Sequence, residues 1–335
     1  VTEGIAELTV SVVVCAYTER RWADLEAAIA SAGAQSRPAT ETVLVIDHNP
    51  ALAARARARF GRTGVRVVTN SRSRGLSGAR NTALEHVAGD VVAFLDDDAT
   101  ADPHWLARLA APYARVDVLA VGGPAHPVWP DGRRPGLLPA ELYWVTGCSF
   151  TGQHAGTGLA EVRNLMGCNM SFRRSVFETI GGFDEGLGRL GDTPLGCEET
   201  ELCIRLRQWF PDASILFEPL AMVDHRVGSE RVTWAYLRRR CWAEGVSKAF
   251  VTATVGSGDG LSTERRYTTR VLPAAVRREL GAALRGLATG DLGRARRSMA
   301  GALAVPLALG AAAAGYMRGR AGTVGRGRRT TPGSR

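Results

Sequence analysis

The first apolar run, Leu8-Thr9-Val10-Ser11-Val12-Val13-Val14-Cys15-Ala16, is dense in β-branched residues and predicts a central strand covered on both faces. Leu25, Ala28 and Ile29 then recur at helical spacing, which predicts a helix from about 23 to 34. Thr42–Ile46 is a second buried strand, ending in Asp47. The Ala/Arg segment 51–60 predicts a helix, Val65–Thr69 a third strand, and Val91–Leu95 a fourth that runs into Asp96-Asp97-Asp98. Strands alternating with helices at this spacing imply right-handed crossovers and a largely parallel α/β sheet. Ligands of such sheets bind beyond the carboxyl ends of the strands. Tyr17-Thr18-Glu19, Asp47 and the Asp triplet all fall at those ends, so three polar strand ends on one rim point to one site.

The polar stretches between these elements carry the candidate chemistry. Three adjacent carboxylates repel one another, and a hard cation such as Mg²⁺ or Mn²⁺ would neutralise them. The other reading is a solvated acidic turn before a helix near Pro103, with Asp102 as its N-cap. In Asn70–Asn81, Gly75 and Gly78 let backbone approach a ligand, the helix opening near Ser77 offers free N–H groups, and Arg80 adds a bidentate donor. As an isolated loop, the same residues describe rather a Gly/Ser turn with a solvated arginine, an advantage that reading loses beside the Asp triplet. Val116–Gly123 predicts another strand, followed by aromatic loops that include Trp144 and suit either a sugar face or core cover. A helix over Ser175–Ile180 follows Gly167-Cys168-Asn169, and Glu198-Glu199 open a helix continued by Leu202, Leu206 and Trp209. Acidic residues there complement the helix dipole, or one of them is a general base. Ile215–Phe217 is a strand, and His225 beyond it is either a packing residue or a metal ligand.

Past Val251 the pattern changes. Gly256–Gly260 reads as a flexible link, and Arg265, Arg266, Arg270, Arg277 and Arg278 lie among apolar residues from about Glu264 to Arg297, as in an interfacial helix or a solvated helix face. Ser298–Met317 is uncharged, and long enough to span a bilayer. Its Ala/Gly composition and Pro306 favour packing on the protein or lying at an anionic membrane surface. The expected organisation is a domain over 1–250, a basic helical region over 251–317, and a disordered tail over 318–335.

Composition narrows the chemistry. The 335 residues are 45% hydrophobic and 22% charged, ordinary for a globular chain, with a net charge of +9. That charge is carried almost wholly by arginine, because Lys248 is the only lysine. Schiff-base and phosphate-loop lysine chemistries therefore have one candidate, and it lies in no Gly-rich loop. The basic balance suits phosphate-bearing ligands, an anionic membrane surface or nucleic acid. Six cysteines without a Cys-x-x-Cys pair read as reduced, mostly buried thiols of a cytoplasmic protein. With the first strand starting so near the N-terminus, no signal peptide is expected.

Taken in order, these motifs resemble the inverting family 2 glycosyltransferases of the GT-A fold, over roughly residues 8–250. The series includes Val-Val-Val-Cys-Ala-Tyr-Thr-Glu (12–19), Asp47, Gly-Leu-Ser-Gly-Ala-Arg-Asn (75–81) and Phe-Leu-Asp-Asp-Asp (94–98). It continues through Gly-Cys-Asn-Met-Ser-Phe-Arg-Arg (167–174), Gly-Gly-Phe-Asp (181–184), Cys-Glu-Glu-Thr-Glu-Leu (197–202) and Val-Asp-His (223–225). The resemblance implies a nucleotide-diphosphate sugar donor, a glycan, lipid-linked or small-molecule acceptor, Mn²⁺ or Mg²⁺, and no nucleic-acid partner. It places Ala16, Tyr17, Glu19, Asp47, Arg80, Asp96 and Asp97 on the donor. Asp98 and His225 fall on the metal, and Trp144 and Asn169 on the sugar or acceptor side. Glu199 matches the catalytic base, although the family's Glu-Asp pair is Glu198-Glu199 here, which leaves both carboxylates as candidates. Two other classes compete with this one. A sugar-nucleotide nucleotidyltransferase wants a Gly-rich loop with Arg and Lys after the first strand, and Cys15–Arg21 has neither glycine nor lysine. A non-catalytic glycan- or membrane-binding module would have no use for Asp98, Glu199 and His225 together.

Overall fold

The computed structural model describes residues 8–153, 158–189, 194–261 and 263–323. The N-terminal half alternates as the apolar pattern predicts. β1 (Val10–Ala16), α1 (Trp22–Gly33), β2 (Glu41–Ile46), α2 (Pro50–Phe60), β3 (Val65–Thr69), α3 (Leu76–Leu84) and β4 (Val91–Asp96) follow in turn. Next come β5 (Ala99–Ala101), α4 (Trp105–Ala110), β6 (Val118–Gly122), β7 (Ala125–Val128), β8 (Ala160–Glu161), β9 (Asn169–Arg173) and α5 (Arg174–Ile180). α6 (Glu198–Trp209), β10 (Ser214–Phe217) and β11 (Val223–Arg226) close the sheet region. The main sheet has the order β3-β2-β1-β4-β9-β6-β10-β8. β3, β2, β1 and β4 are parallel, and β9 runs antiparallel between β4 and β6.

Strand alternation sorts β1, β2 and β4 onto two cores. Val12, Val14, Leu44, Ala93 and Leu95 pack with Leu25 and Ile29 of α1, Leu52 of α2 and the wholly buried Trp105. Val13, Val43 and Phe94 face the other way, onto Ala79 and Ala83 of α3 and Leu202 and Leu206 of α6. Both faces are covered, which is why these strands read as continuous apolar runs. A second, small sheet in the order β5-β11-β7 stands at the carboxyl rim. Antiparallel pairing sets His225 opposite Ala99, one residue past the Asp triplet.

The C-terminal third is helical: α7 (Trp234–Val255), α8 (Ser257–Gly260), α9 (Glu264–Arg266), α10 (Leu272–Ala288) and α11 (Leu292–Thr323). The expected boundary at residue 250 falls inside α7, and Ser257–Gly260 forms a helical turn rather than a bare link. α11 carries on through Arg318 to Thr323, into the segment expected to be a tail. The remainder of that tail lies outside the described residues. Tyr236, Leu237 and Cys241 of α7, Leu272 and Ala275 of α10, and Ala304, Val305 and Ala308 of α11 bury a third core against Leu138, Leu142 and Val145. The C-terminal helices therefore pack directly on the loops that follow β7.

Candidate active site

A cleft of about 530 Å³ opens at the carboxyl rim, lined by Ala16, Tyr17, Asp47, Arg80, Asp96, Asp97, Asp98, Trp144, Glu198, Glu199 and His225 among others. Most come from strand ends or helix starts that the rim brings together, and Arg80 and Trp144 from within helical turns. Asp47 follows β2; its carboxylate accepts hydrogen bonds from Asn70 Nδ2 at 2.7 Å and from the Gly75 amide at 3.0 Å. The second bond seats the loop leading into α3, where Gly75 adopts φ +128°, a backbone region closed to most side chains.

Asp98 is the electrostatic centre. Its Oδ1 lies 3.2 Å from His225 Nε2, and its Oδ2 accepts from Arg231 Nη2 at 3.2 Å and from Arg21 Nη1. Burial opposes ionisation here, but His225 and Arg21 outweigh it and hold the carboxyl well below its usual range. His225 is correspondingly raised to about 10, with Asp98 overcoming burial, and its Nδ1 sits 3.7 Å from Cys148 Sγ. Asp97 is pushed up to about 7 by burial, against the pull of Arg21, and its Oδ2 has no hydrogen-bond partner. The ligand atoms of Asp96, Asp98 and His225 all lie within 4.8 Å of one another. Two carboxylates and an imidazole at that spacing are a donor set for a divalent ion such as Mn²⁺ or Mg²⁺, so the residues fit the group.

The opposite wall is the start of α6. Arg80, 1% exposed, donates to Glu198 Oε1 at 2.8 Å, to the Gly167 carbonyl at 2.8 Å and toward Asp96 Oδ1 at 3.4 Å. Its guanidinium packs over Phe94 and Phe183. Glu198 is thus paired with Arg80 through Oε1, while its buried Oε2 has no hydrogen-bond partner. Glu199 is partly exposed to the cleft and forms no ion pair among the described residues; its Oε1 accepts from Thr200 Oγ1 at 3.2 Å. Burial first, then Glu198, raises its carboxyl to about 8. Every other described cleft carboxylate has a cation, or another residue's amide or ring nitrogen, beside it. Glu244 pairs with Arg240 at 2.8 Å, and Glu264 with Arg163 at 2.8 Å and Lys248 at 2.7 Å.

Two expected residues lie elsewhere. Asn169 is wholly buried: its amide accepts from Trp105 Nε1 at 2.8 Å and donates to the Pro124 and Ala221 carbonyls at 2.9 and 2.8 Å. It knits β9 to the rim loops, and with both N–H donors spent and the side chain wholly buried it presents nothing to a sugar. Glu19 is exposed and accepts from Asn49 Nδ2 at 2.9 Å, beside the N-cap of α2, outside the cleft. Arg80 is no solvated arginine, because burial and three acceptors fix it. Trp144 does line the cleft, donating to Tyr267 Oη at 2.9 Å beneath Arg240.

Other cleft residues gave little sign in the sequence. Arg21 could have been read from its place just past β1, but Arg231, Arg240 and Lys248 reach the site only through tertiary packing. So do Leu309, Ala312, Ala313 and Tyr316 of α11, which form an apolar wall of the same cleft.

Comparisons agree with this architecture. Residues 11–181 match glycosyl transferase family 2. The glucosyl-dolichyl phosphate glucuronosyltransferase of Haloferax volcanii is 37% identical over 243 residues, covering 72% of this chain and 76% of the relative. The succinoglycan biosynthesis protein ExoM of Rhizobium meliloti is 30% identical over 189 residues, 55% of each chain. Among solved structures, the mannosyltransferase PcManGT of Pyrobaculum calidifontis, in complex with GDP-Man and Mn²⁺, superposes with TM-score 0.54 at 20% identity, covering 88% of this chain and 86% of that one. The last likeness concerns the fold. With the ordered rim motifs, these matches establish that the chain is a GT-A nucleotide-sugar glycosyltransferase and belongs to glycosyl transferase family 2.

Proposed function

We propose that this enzyme transfers a sugar from a nucleoside-diphosphate donor to a hydroxyl of a lipid-linked acceptor, by a single inverting displacement with Glu199 as the base. One observation carries the assignment. Among the described carboxylates lining the cleft, Glu199 has no ion-pair partner and no donor beyond the Thr200 hydroxyl and its own backbone amide, and its carboxyl is raised to about 8. A base poised near neutrality both accepts a proton and is available to do so. Glu198, held by Arg80, fixes the start of α6 and presents Glu199 to the attacking hydroxyl.

Asp98 and His225, with Asp96, would hold a divalent ion. That ion, when bound, neutralises the charge developing on the departing diphosphate. Arg21 and Arg231, already drawn to Asp98, supply further positive charge on that side of the cleft. Asp47 and the Gly75 loop would receive the nucleoside. Trp144, with Arg240 stacked on it, offers a rigid face to the sugar or acceptor.

The Haloferax relative's name, with a dolichyl phosphate-linked glucose in it, supports the lipid-linked acceptor and makes a uronosyl donor the first to try. Such an acceptor implies work at the cytoplasmic face of a cell membrane. The test is Glu199→Gln assayed with lipid-linked acceptor and Mn²⁺. Transfer is expected to fall by about 10²–10⁴-fold, while Mn²⁺-dependent binding of the nucleoside diphosphate, read by thermal shift, stays intact. Wild-type transfer by the variant rejects the assignment.

A further inference from the structure

α11 has three differently occupied faces. One is clamped to α7 at glycines: a Cβ on Gly245 would meet the Ala312 carbonyl oxygen at 1.9 Å, and one on Gly315 the Trp242 carbonyl oxygen at 2.0 Å. The second, Leu309, Ala313 and Tyr316, walls the cleft. The third looks outward. Met299, Leu303, Leu307 and Met317, exposed by 38–67%, recur at three- and four-residue spacing or its multiples and so share one side of the helix. A single residue step, about 100° of rotation, separates Leu309 on the cleft side from Gly310 on the outward side. α10, packed against α11, also exposes Leu280, Leu284 and Leu287, each by more than a third.

Charge identifies what covers this face. α11 contains no acidic residue, and its uncharged stretch is preceded by exposed Arg294, Arg296 and Arg297 and followed by exposed Arg318. Exposed Arg238 and Arg239 and the 42%-exposed Trp242 of α7 border the same groove as Pro306, Leu307 and Gly310, where the one described acid is Glu230, itself beside Arg231. An apolar stripe rimmed by arginine, with a tryptophan at its edge, matches the interface of an anionic bilayer. A second copy of the chain seated here by a two-fold axis would oppose arginine to arginine. Leu292–Gly322 is long and apolar enough to span a membrane. Spanning, however, would tear α11 from α7 and remove a wall of the cleft.

We propose that the outward faces of α10 and α11 dock flat on an anionic membrane, so that a lipid-linked acceptor enters the cleft along α11 from the bilayer. The docking stands on the surface itself; the entry route rests on the lipid-linked acceptor proposed above. Purified full-length chain is pelleted with phosphatidylcholine vesicles that contain or lack phosphatidylglycerol. Wild type is expected to bind the anionic vesicles, to be released by salt or alkaline carbonate, and to lose roughly tenfold or more in binding on Leu303→Asp with Leu307→Asp. Arg294→Gln with Arg296→Gln should weaken binding to anionic vesicles alone. Both pairs lie outside the cleft, so their melting temperatures and their slow hydrolysis of nucleotide-sugar in water should match wild type.

Failure of wild type to bind anionic vesicles, equal binding by the aspartate variant, resistance to carbonate extraction, or a dimer that the aspartate variant splits would each overturn the docking. Vesicle binding without donor hydrolysis would instead leave the docking standing and count against the catalytic reading. Docking with hydrolysis, but with equal transfer to a water-soluble, chain-free acceptor by wild type and aspartate variant and no defect with the full-length lipid acceptor, would overturn the entry route.

Discussion

At the scale of single residues, the cleft holds its acids in two conditions: neutralised by a neighbouring cation, or left without one. Glu199 is in the second condition, and its folding linkage has a definite sign. Burial and Glu198 raise its carboxyl above the ordinary 4.5, Glu244 adds to this, and Arg80 opposes it. The folded chain therefore binds this proton more tightly than the unfolded chain does. The associated stability is complete below 4.5 and is lost as pH rises through about 8. Glu199→Gln cannot ionise, so its melting temperature should equal wild type near pH 4.5 and exceed it at about pH 9. Thermal melts across that range check this, and a variant less stable than wild type at the alkaline end contradicts it. Arg80 makes the opposite case. Arg80→Gln strands Glu198 in a buried site, and denaturant unfolding should show a loss of about 3–5 kcal/mol. Arg80→Lys should recover little, because a point charge cannot serve Glu198 and the Gly167 carbonyl as the planar fork does.

Among the elements, α11 extends beyond its reading in the sequence, which takes Ser298–Met317 as an uncharged stretch packed on the protein or lying at a membrane surface. It is one helix from Leu292 to Thr323, and what fixes it is the close approach of α7. Gly315→Val must push against the Trp242 backbone. Overpacking of this kind costs about 1–3 kcal/mol, seen as a lower melting temperature together with weaker acceptor binding as the cleft wall shifts. Gly310→Ala is the control, since a Cβ there meets nothing within 4 Å. It should be neutral, or more stable by about 0.4–1 kcal/mol. The pairing of β11 with β5 acts similarly on the acidic end of the cleft, because register alone brings His225 to Asp98.

For the molecule as a whole, the prediction concerns the ion. Mn²⁺ with a nucleoside diphosphate should raise the melting temperature of wild type, since a ligand of the folded state at a hundredfold excess over Kd adds about 2.7 kcal/mol. His225→Ala should lose most of that shift, and excess chelator should abolish transfer. Differential scanning fluorimetry and an activity assay read these outcomes directly. The sequence by itself determined the strand-helix alternation, the strand ends that make the rim, and the order of the acidic motifs. These are local: β-branched runs, helical spacing and terminal carboxylates are legible from neighbours a few residues apart. It also singled out Asp98, His225 and Glu199 as candidates. Tertiary structure alone decided which of two adjacent glutamates Arg80 would occupy, that Asn169 would spend its amide on Trp105 and two carbonyls, and that α11 would wall the cleft. Those outcomes depend on contacts between residues dozens to more than a hundred positions apart, and no local pattern encodes which partner a buried polar group will find.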